Sequence, residues 1–341
     1  ILLAAAIFGL AFQATAGESP AGAGDSAERV GRQADGRTVL PVNQVVTPLG
    51  TQVELAGLRP QTLALSPDGR LLAVSGKTSE VVILDPATGA VRQRVAIRPG
   101  SAAGVPGAVI PNIIEPRAKG QVSYTGLIFS RDGKRLLLSN VDGDIKVFDV
   151  AADGTVSVAR SIPLPPAGAP RRKEEIPSGL AWSVDGQRIY VCGNLSNTLL
   201  ELDASSGQVL RTWEVGVAPY DVVLLGGRAY VSNWGGRRPG PGDLTGPAGR
   251  GTVVRVDPER HIACEGSVTV IDLTTGQKTE ILAGLHSSAL AVSPDGKYVV
   301  CANAAADTLS VIDTAARAVV ETVWVKPSPS DLFGASPNAL A

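Results

Sequence analysis

The chain has 341 residues, with 31 Lys plus Arg against 32 Asp plus Glu and a formal net charge of -1. That balance lacks the basic excess of a nucleic-acid or membrane-surface binder and the acidic excess of a solvating tail, so neither polyanion binding nor disorder is expected. Two His, three Cys and no Met exclude a His-rich metal cage or a CxxCH haem site, while 39 Gly and 24 Pro beside 44% hydrophobic residues describe a turn-rich globular chain.

Ile1 to Phe12 is an uncharged apolar run, followed by Ala14-Thr15-Ala16 before Gly17. This is the small-x-small pattern of an export signal, so residues 1–16 are expected to be removed and the protein to be periplasmic or secreted. Such a run is too short to cross a bilayer, and no membrane span is expected in the mature chain. No initiator Met or basic stretch precedes Ile1, so the signal reads as truncated at its start. Residues 17–36 are small and polar and read as a flexible N-terminal segment.

From there the chain repeats. An apolar run, a tight turn and a second apolar run recur at LALSPDGRLLAV around Asp68, LIFSRDGKRLLL around Asp132, LAWSVDGQRIYV around Asp185 and LAVSPDGKYVVC around Asp295, with Gly226-Gly227 filling the slot in VVLLGGRAYVSN. Each reads as a β-hairpin. A second marker, a strand ending in Asp before a turn, falls at Asp85, Asp149, Asp203, Asp272 and Asp313. The two markers lie about 17 residues apart, except in the fourth unit, which carries an insertion of about 29; the shortest complete unit is about 40 residues with four short strands, the period of a propeller blade.

The fold class is therefore all-β, a β-propeller of four-stranded antiparallel blades over residues 37–341. Five blades are complete, and Asn338-Ala339-Leu340-Ala341 copies the register of the first strand of a sixth. Open sheet edges attract other chains, so the natural protein is expected to continue and close its ring. Thr51 to Ala56 (TQVELA) occupies a fourth-strand slot and is expected to complete the final blade. Cys192 and Cys301 fall on equivalent strands a whole blade apart, too far to bridge.

The YVSN run at Tyr230 to Asn233, with variants VCAN at Val300 to Asn303 and LLSN at Leu137 to Asn140, resembles the bacterial YVTN-repeat, YncE-type propellers. The stretches Ala169 to Ala181, Val215 to Val223, Ser232 to Thr252 and Val325 to Ala341 are similar to the propeller half of exported two-part proteins, in which the propeller precedes an alkaline-phosphatase-like phosphoesterase. The resemblance implies seven blades, a non-catalytic binding or scaffold module, and a partner that is the protein's own C-terminal domain or another protein. It also implies that any divalent metal and nucleophile lie beyond Ala341, with no cofactor or catalytic residue on this chain. A freestanding periplasmic binding propeller and a lactonase-type propeller enzyme are the alternatives; no nucleophile–base–orienter spacing in the chain makes catalysis compelling.

Every excess of loop length falls on one face, in the connections 98–123 and 163–177 and in the blade 4 insertion 234–266, and binding residues ride on loops held by rigid elements. Ahead of the first strands, Arg59, Tyr124, Tyr220, Asp221 and His286 are expected to ring the channel mouth on that face. Residues 235–251 hold seven Gly, three Pro and the three arginines Arg237, Arg238 and Arg250, a mixture able to meet a small anion. The bland reading, a solvated loop or one packed on a partner through Trp234, carries twice the weight. The run Arg171-Arg172-Lys173-Glu174-Glu175 neutralises itself and reads as a solvated or domain-facing loop.

Overall fold

The computed structural model describes residues 29–41, 45–47, 50–76, 80–97, 122–326 and 334–341. The expected signal peptide, the connection 98–121 and the segment 327–333 lie outside the described residues. Two compact units divide between Gln52 and Val53. The first holds a three-stranded antiparallel sheet of Gly31–Arg32, Thr38–Val39 and Val45–Val46.

The second unit is a β-propeller of five four-stranded antiparallel blades, each a simple meander. Blade 1 is Pro60–Leu65, Leu72–Gly76, Glu80–Leu84 and Val91–Ala96. Blade 2 is Val122–Phe129, Arg135–Asn140, Asp144–Val150 and Val156–Pro163. Blade 3 is Pro177–Trp182, Arg188–Gly193, Thr198–Asp203 and Val209–Glu214. Blade 4 is Pro219–Leu225, Arg228–Asn233, Gly266–Asp272 and Lys278–Ala283. Blade 5 is Ser287–Val292, Tyr298–Asn303, Thr308–Asp313 and Ala318–Trp324. First strands of successive blades lie against one another, which makes them the inner wall.

The first turn of a blade is built by its sequence. In blade 1 the Ser66 hydroxyl donates to Asp68 Oδ1 at 2.7 Å and accepts from the Leu71 N–H at 2.9 Å, while the Gly69 N–H bonds the Ser66 carbonyl at 2.8 Å. Ser130/Asp132, Ser183/Asp185 and Ser293/Asp295 repeat the device. Blade 4 lacks the Ser–Asp pair and turns instead on Gly226 and Gly227, with φ of 56° and 74°, the left-handed pair that a two-residue hairpin needs. In the second turn an Asp carboxylate accepts two backbone N–H groups, as Asp203 does from Ser205 and Ser206 at 3.1 and 2.8 Å.

The core is a set of slabs between blades. Ala73, Val81 and Ile83 of blade 1 meet Leu127, Leu136, Leu138 and Phe148 of blade 2. Leu137, Ile145 and Val147 meet Leu180, Val191 and Leu202; Tyr190, Cys192 and Leu199 meet Val222, Val231 and Ile271; Tyr230, Val268 and Val270 meet Leu290, Val299 and Ile312. Cys192 and Cys301 are buried and unbridged, and Cys264 is exposed.

Side chains also stitch blade to blade. The Ser178 hydroxyl donates to the Pro219 carbonyl at 2.7 Å, and the equivalent Ser288 donates to the Pro337 carbonyl at 3.2 Å. Pro337 thus takes beside blade 5 the place that Pro219 takes beside blade 3, the position expected of a sixth blade's first strand. Residues 51–55 form no strand, and the final blade that Thr51 to Ala56 is expected to complete is not among the five described sheets. Leu55 packs with Leu58 against Val74, Val82 and Leu84 of blade 1.

Candidate functional site

The YVSN strand positions the site. Asn233, fully buried, donates through Nδ2 to Ser267 Oγ at 3.1 Å and Thr269 Oγ1 at 2.9 Å, fastening the end of the second strand to the third. Asn303 makes the matching pair with Thr308 and Ser310 at 3.0 and 2.9 Å. The next residue, Trp234, then donates its backbone N–H to the Ala218 carbonyl at 3.1 Å, as Ala304 does to His286 at 3.0 Å. Ala218 and His286 occupy the same repeat position with φ of 53° and 58°, so the left-handed backbone at His286 belongs to the propeller repeat rather than to this histidine.

These constraints stack three rings. Trp234 lies between Tyr220, at a centroid distance of 5.5 Å and 23° between planes, and His286, at 4.6 Å and 14°. Tyr220 and Trp234 come from blade 4 and His286 from the entry to blade 5. All three are half-buried. Partial burial lowers the His286 pKa, which keeps the imidazole neutral near pH 7.

Asp221, beside Tyr220 on the innermost strand, accepts the Leu290 N–H on Oδ2 at 2.9 Å and the Val222 N–H on Oδ1 at 2.8 Å. Burial raises its pKa to about 6 against the pull of those two donors. A Cβ added to Gly179 would lie 2.5 Å from Asp221 Cα, so the neighbouring blade leaves room for the backbone that carries this carboxylate. The structure thus gathers Tyr220, Asp221, Trp234 and His286 at the junction of blades 4 and 5. Arg59 is exposed on the approach to blade 1, and the side chain of Tyr124, in the first strand of blade 2, lies outside the described residues.

The arginines of the insertion serve internal partners. Arg237 donates Nη2 to Glu265 Oε2 at 2.7 Å and its Nε and backbone N–H to Oε1, each at 3.1 Å. Arg238 donates Nε to the Val215 carbonyl at 2.6 Å and Nη2 to the Asn197 carbonyl, joining blade 4 to blade 3. The insertion itself is ordered by a small hairpin of Thr245–Pro247 with Val253–Arg255. Arg255 ties that hairpin to Asp243 and, at 3.3 Å, to Glu265. A cleft of about 300 Å³ opens at its root, lined by Glu214, Arg237, Arg238, Lys278 and Glu280 among others.

Glu175 corrects the reading of its loop as a solvated charge run. It is 2% exposed, and its carboxylate accepts the N–H groups of Ile176, Leu195 and Ser196 at 2.9, 2.8 and 3.2 Å. The signal was Gly193, which stands where blades 2, 4 and 5 carry the motif Asn. A Cβ there would meet Thr198 Oγ1 at 2.8 Å and Glu175 Oε2 at 3.2 Å, so the loop carboxylate occupies space that the Asn side chain fills elsewhere.

No protein-family model matches the sequence, and no curated protein matches it. Among solved structures the chain is similar to the hydrazine synthase of Kuenenia stuttgartiensis, with a TM-score of 0.53 and 19% identity over 79% of this chain and 67% of that one. It is also similar to U3-55K, with a TM-score of 0.55 and 10% identity over 79% of this chain and 65% of that one. The chain therefore spans about two thirds of each neighbour's length, and both likenesses, at low identity, show the β-propeller fold alone.

Proposed function

We propose that this chain is the binding propeller of an exported bacterial protein of the YVTN-repeat, YncE type, in which it precedes an alkaline-phosphatase-like phosphoesterase domain and presents its long-loop face to a ligand or to that domain. A propeller is a rigid scaffold for binding loops, and the observation that carries the reading is the half-buried Tyr220–Trp234–His286 stack on the long-loop face. The apolar start with its small-x-small site supports export. The YVSN, VCAN and LLSN strands and the Gly/Arg-rich insertion support the kinship. A small anion is a second reading, for the cleft where Arg237, Arg238 and Lys278 stand beside Glu214 and Glu280.

The test is to read the gene past the codon for Ala341 and to assay the full-length protein on 4-nitrophenyl phosphate. The expected result is a phosphoesterase domain after the closing blades, with turnover that a metal chelator abolishes and a divalent cation restores. Closing blades followed directly by a stop codon would overturn the two-part reading in favour of a freestanding binding propeller.

A further inference from the structure

The cleft at the root of the insertion is lined by charges of both signs that its own walls do not neutralise. One wall is the end of blade 3, the facing wall is the outer strands of blade 4 with Lys278 and Glu280, and the insertion contributes Arg237 and Arg238. Arg237 is spent on Glu265. The other two cations are held by neutral carbonyls: Arg238 by those of Val215 and Asn197, and Lys278 by that of Glu214 at 2.8 Å. A carbonyl orients a cation without cancelling its charge. The carboxylate beside Arg238, that of Glu214 at 3.3 Å, is 70% exposed, where an ion pair is worth little. Lys278 keeps two of its three N–H donors.

Glu280 is the mirror case, an anion held by neutral donors. Its Oε1 accepts the Ser267 hydroxyl and, at 3.2 Å, Asn233 Nδ2, while its Oε2 accepts the Thr269 hydroxyl at 2.8 Å. A carboxylate offers about four lone-pair sites, so Oε2 can take a further donor. No cation forms an ion pair with Glu280 among the described residues. In the strand register Glu280 corresponds to Arg94, Ser161, Thr212 and Thr322, so the other four blades are built without a carboxylate here.

Lys278 and Glu280 stand two apart on one strand, on the same face and about 7 Å apart along it. They line one cleft without pairing to each other. A simple anion there would meet the Glu280 carboxylate, and a simple cation would meet Lys278 and Arg238; a ligand carrying both charges on neighbouring atoms satisfies both. At about 300 Å³ the cleft is at the small end of ligand sites, and Val215 gives it an apolar surface.

We propose that this cleft binds a free α-amino acid as its zwitterion, with the carboxylate on Lys278 and Arg238 and the ammonium group on Glu280. The proposal rests on the anion reading of the cleft and adds the second charge to it.

The test is calorimetric titration of the full-length protein with L-valine, with 3-methylbutanoate, which lacks the ammonium group, and with 2-methylpropylamine, which lacks the carboxylate. Valine is expected to bind saturably and at least about tenfold more tightly than either fragment, since each charge-assisted contact is worth about one decade or more. Glu280→Gln is expected to remove the advantage over 3-methylbutanoate, and Lys278→Met the advantage over the amine. Far-ultraviolet circular dichroism verifies that each variant is folded; Lys278 is exposed, so its variant keeps the test decisive should Glu280→Gln not fold. Either fragment binding as tightly as valine overturns the zwitterion, and if that fragment is 3-methylbutanoate the anion reading stands. Valine binding that neither substitution alters overturns this site. Saturable binding of none of the three overturns the proposal and the anion reading together.

Discussion

Leu127→Ala is expected to lower the unfolding free energy by about 3 kcal/mol and Leu63→Ala by less than about 1, although the two leucines hold the same place in the repeat. Leu63 pairs with Val74 and Leu127 with Leu138, each on the innermost strand of its blade. Leu127 is 3% exposed, sealed beneath Ala73, Val81 and Ile83 of the preceding blade, whereas Leu63 is 61% exposed because no blade among the described residues packs on that side of its own. Truncating a sealed leucine loses its transfer energy and leaves a cavity; truncating an exposed one loses little of either. Denaturant unfolding of the two variants of this chain reads the difference. Equal losses would contradict the radial order of the blades.

Asp221→Asn is expected to change how stability depends on pH. The carboxyl has a pKa of about 6 in the folded chain against about 3.9 unfolded, because burial disfavours its ionised form. Below the unfolded value both states are protonated and the group's contribution is fully present. As pH rises from 4 towards 6 the unfolded chain ionises first, and this contribution is lost; above the folded pKa the loss is complete at about 3 kcal/mol. The Asn variant does not titrate, and whatever its altered hydrogen bonds cost is the same at each pH. The stability difference between wild type and variant should therefore move by about 2 kcal/mol in favour of Asn between pH 4, where the unfolded carboxyl is already half ionised, and pH 7. Urea unfolding at both values measures it, and a difference that stays flat would show that the carboxylate is well solvated.

The blades were legible because their turns are written locally. A hydroxyl two residues before an Asp, with Gly after it, closes the first hairpin without help from elsewhere in the chain, as at Ser66, Asp68 and Gly69. The aromatic site was half legible: Tyr220, Trp234 and His286 could each be placed at the mouth from strand register, but their parallel stacking depends on the Trp234 to Ala218 hydrogen bond and the left-handed backbone at His286.

Buried carboxylates were not legible, because their partners are distant in sequence. Glu201 is 3% exposed, ion-paired to Arg211 and bonded by the Tyr190 hydroxyl at 3.3 Å. In blade 4 the equivalent pair is Tyr230 with Val270, which leaves the buried Tyr230 hydroxyl without an acceptor. The pairing of Arg237 with Glu265 was hidden for the same reason: a run of Gly and Arg announces donors but not what already occupies them.

Binding is proposed for the long-loop face and not for the hairpin-turn face. A photo-cross-linking residue placed at Pro241 in the insertion, or at Thr274 in the second turn of blade 4 on the opposite face, tests it in the full-length protein in its own cells. Both positions are exposed. Cross-links to the following domain or to a partner from position 241, with none from 274, are the predicted result; cross-links from 274 alone would contradict it.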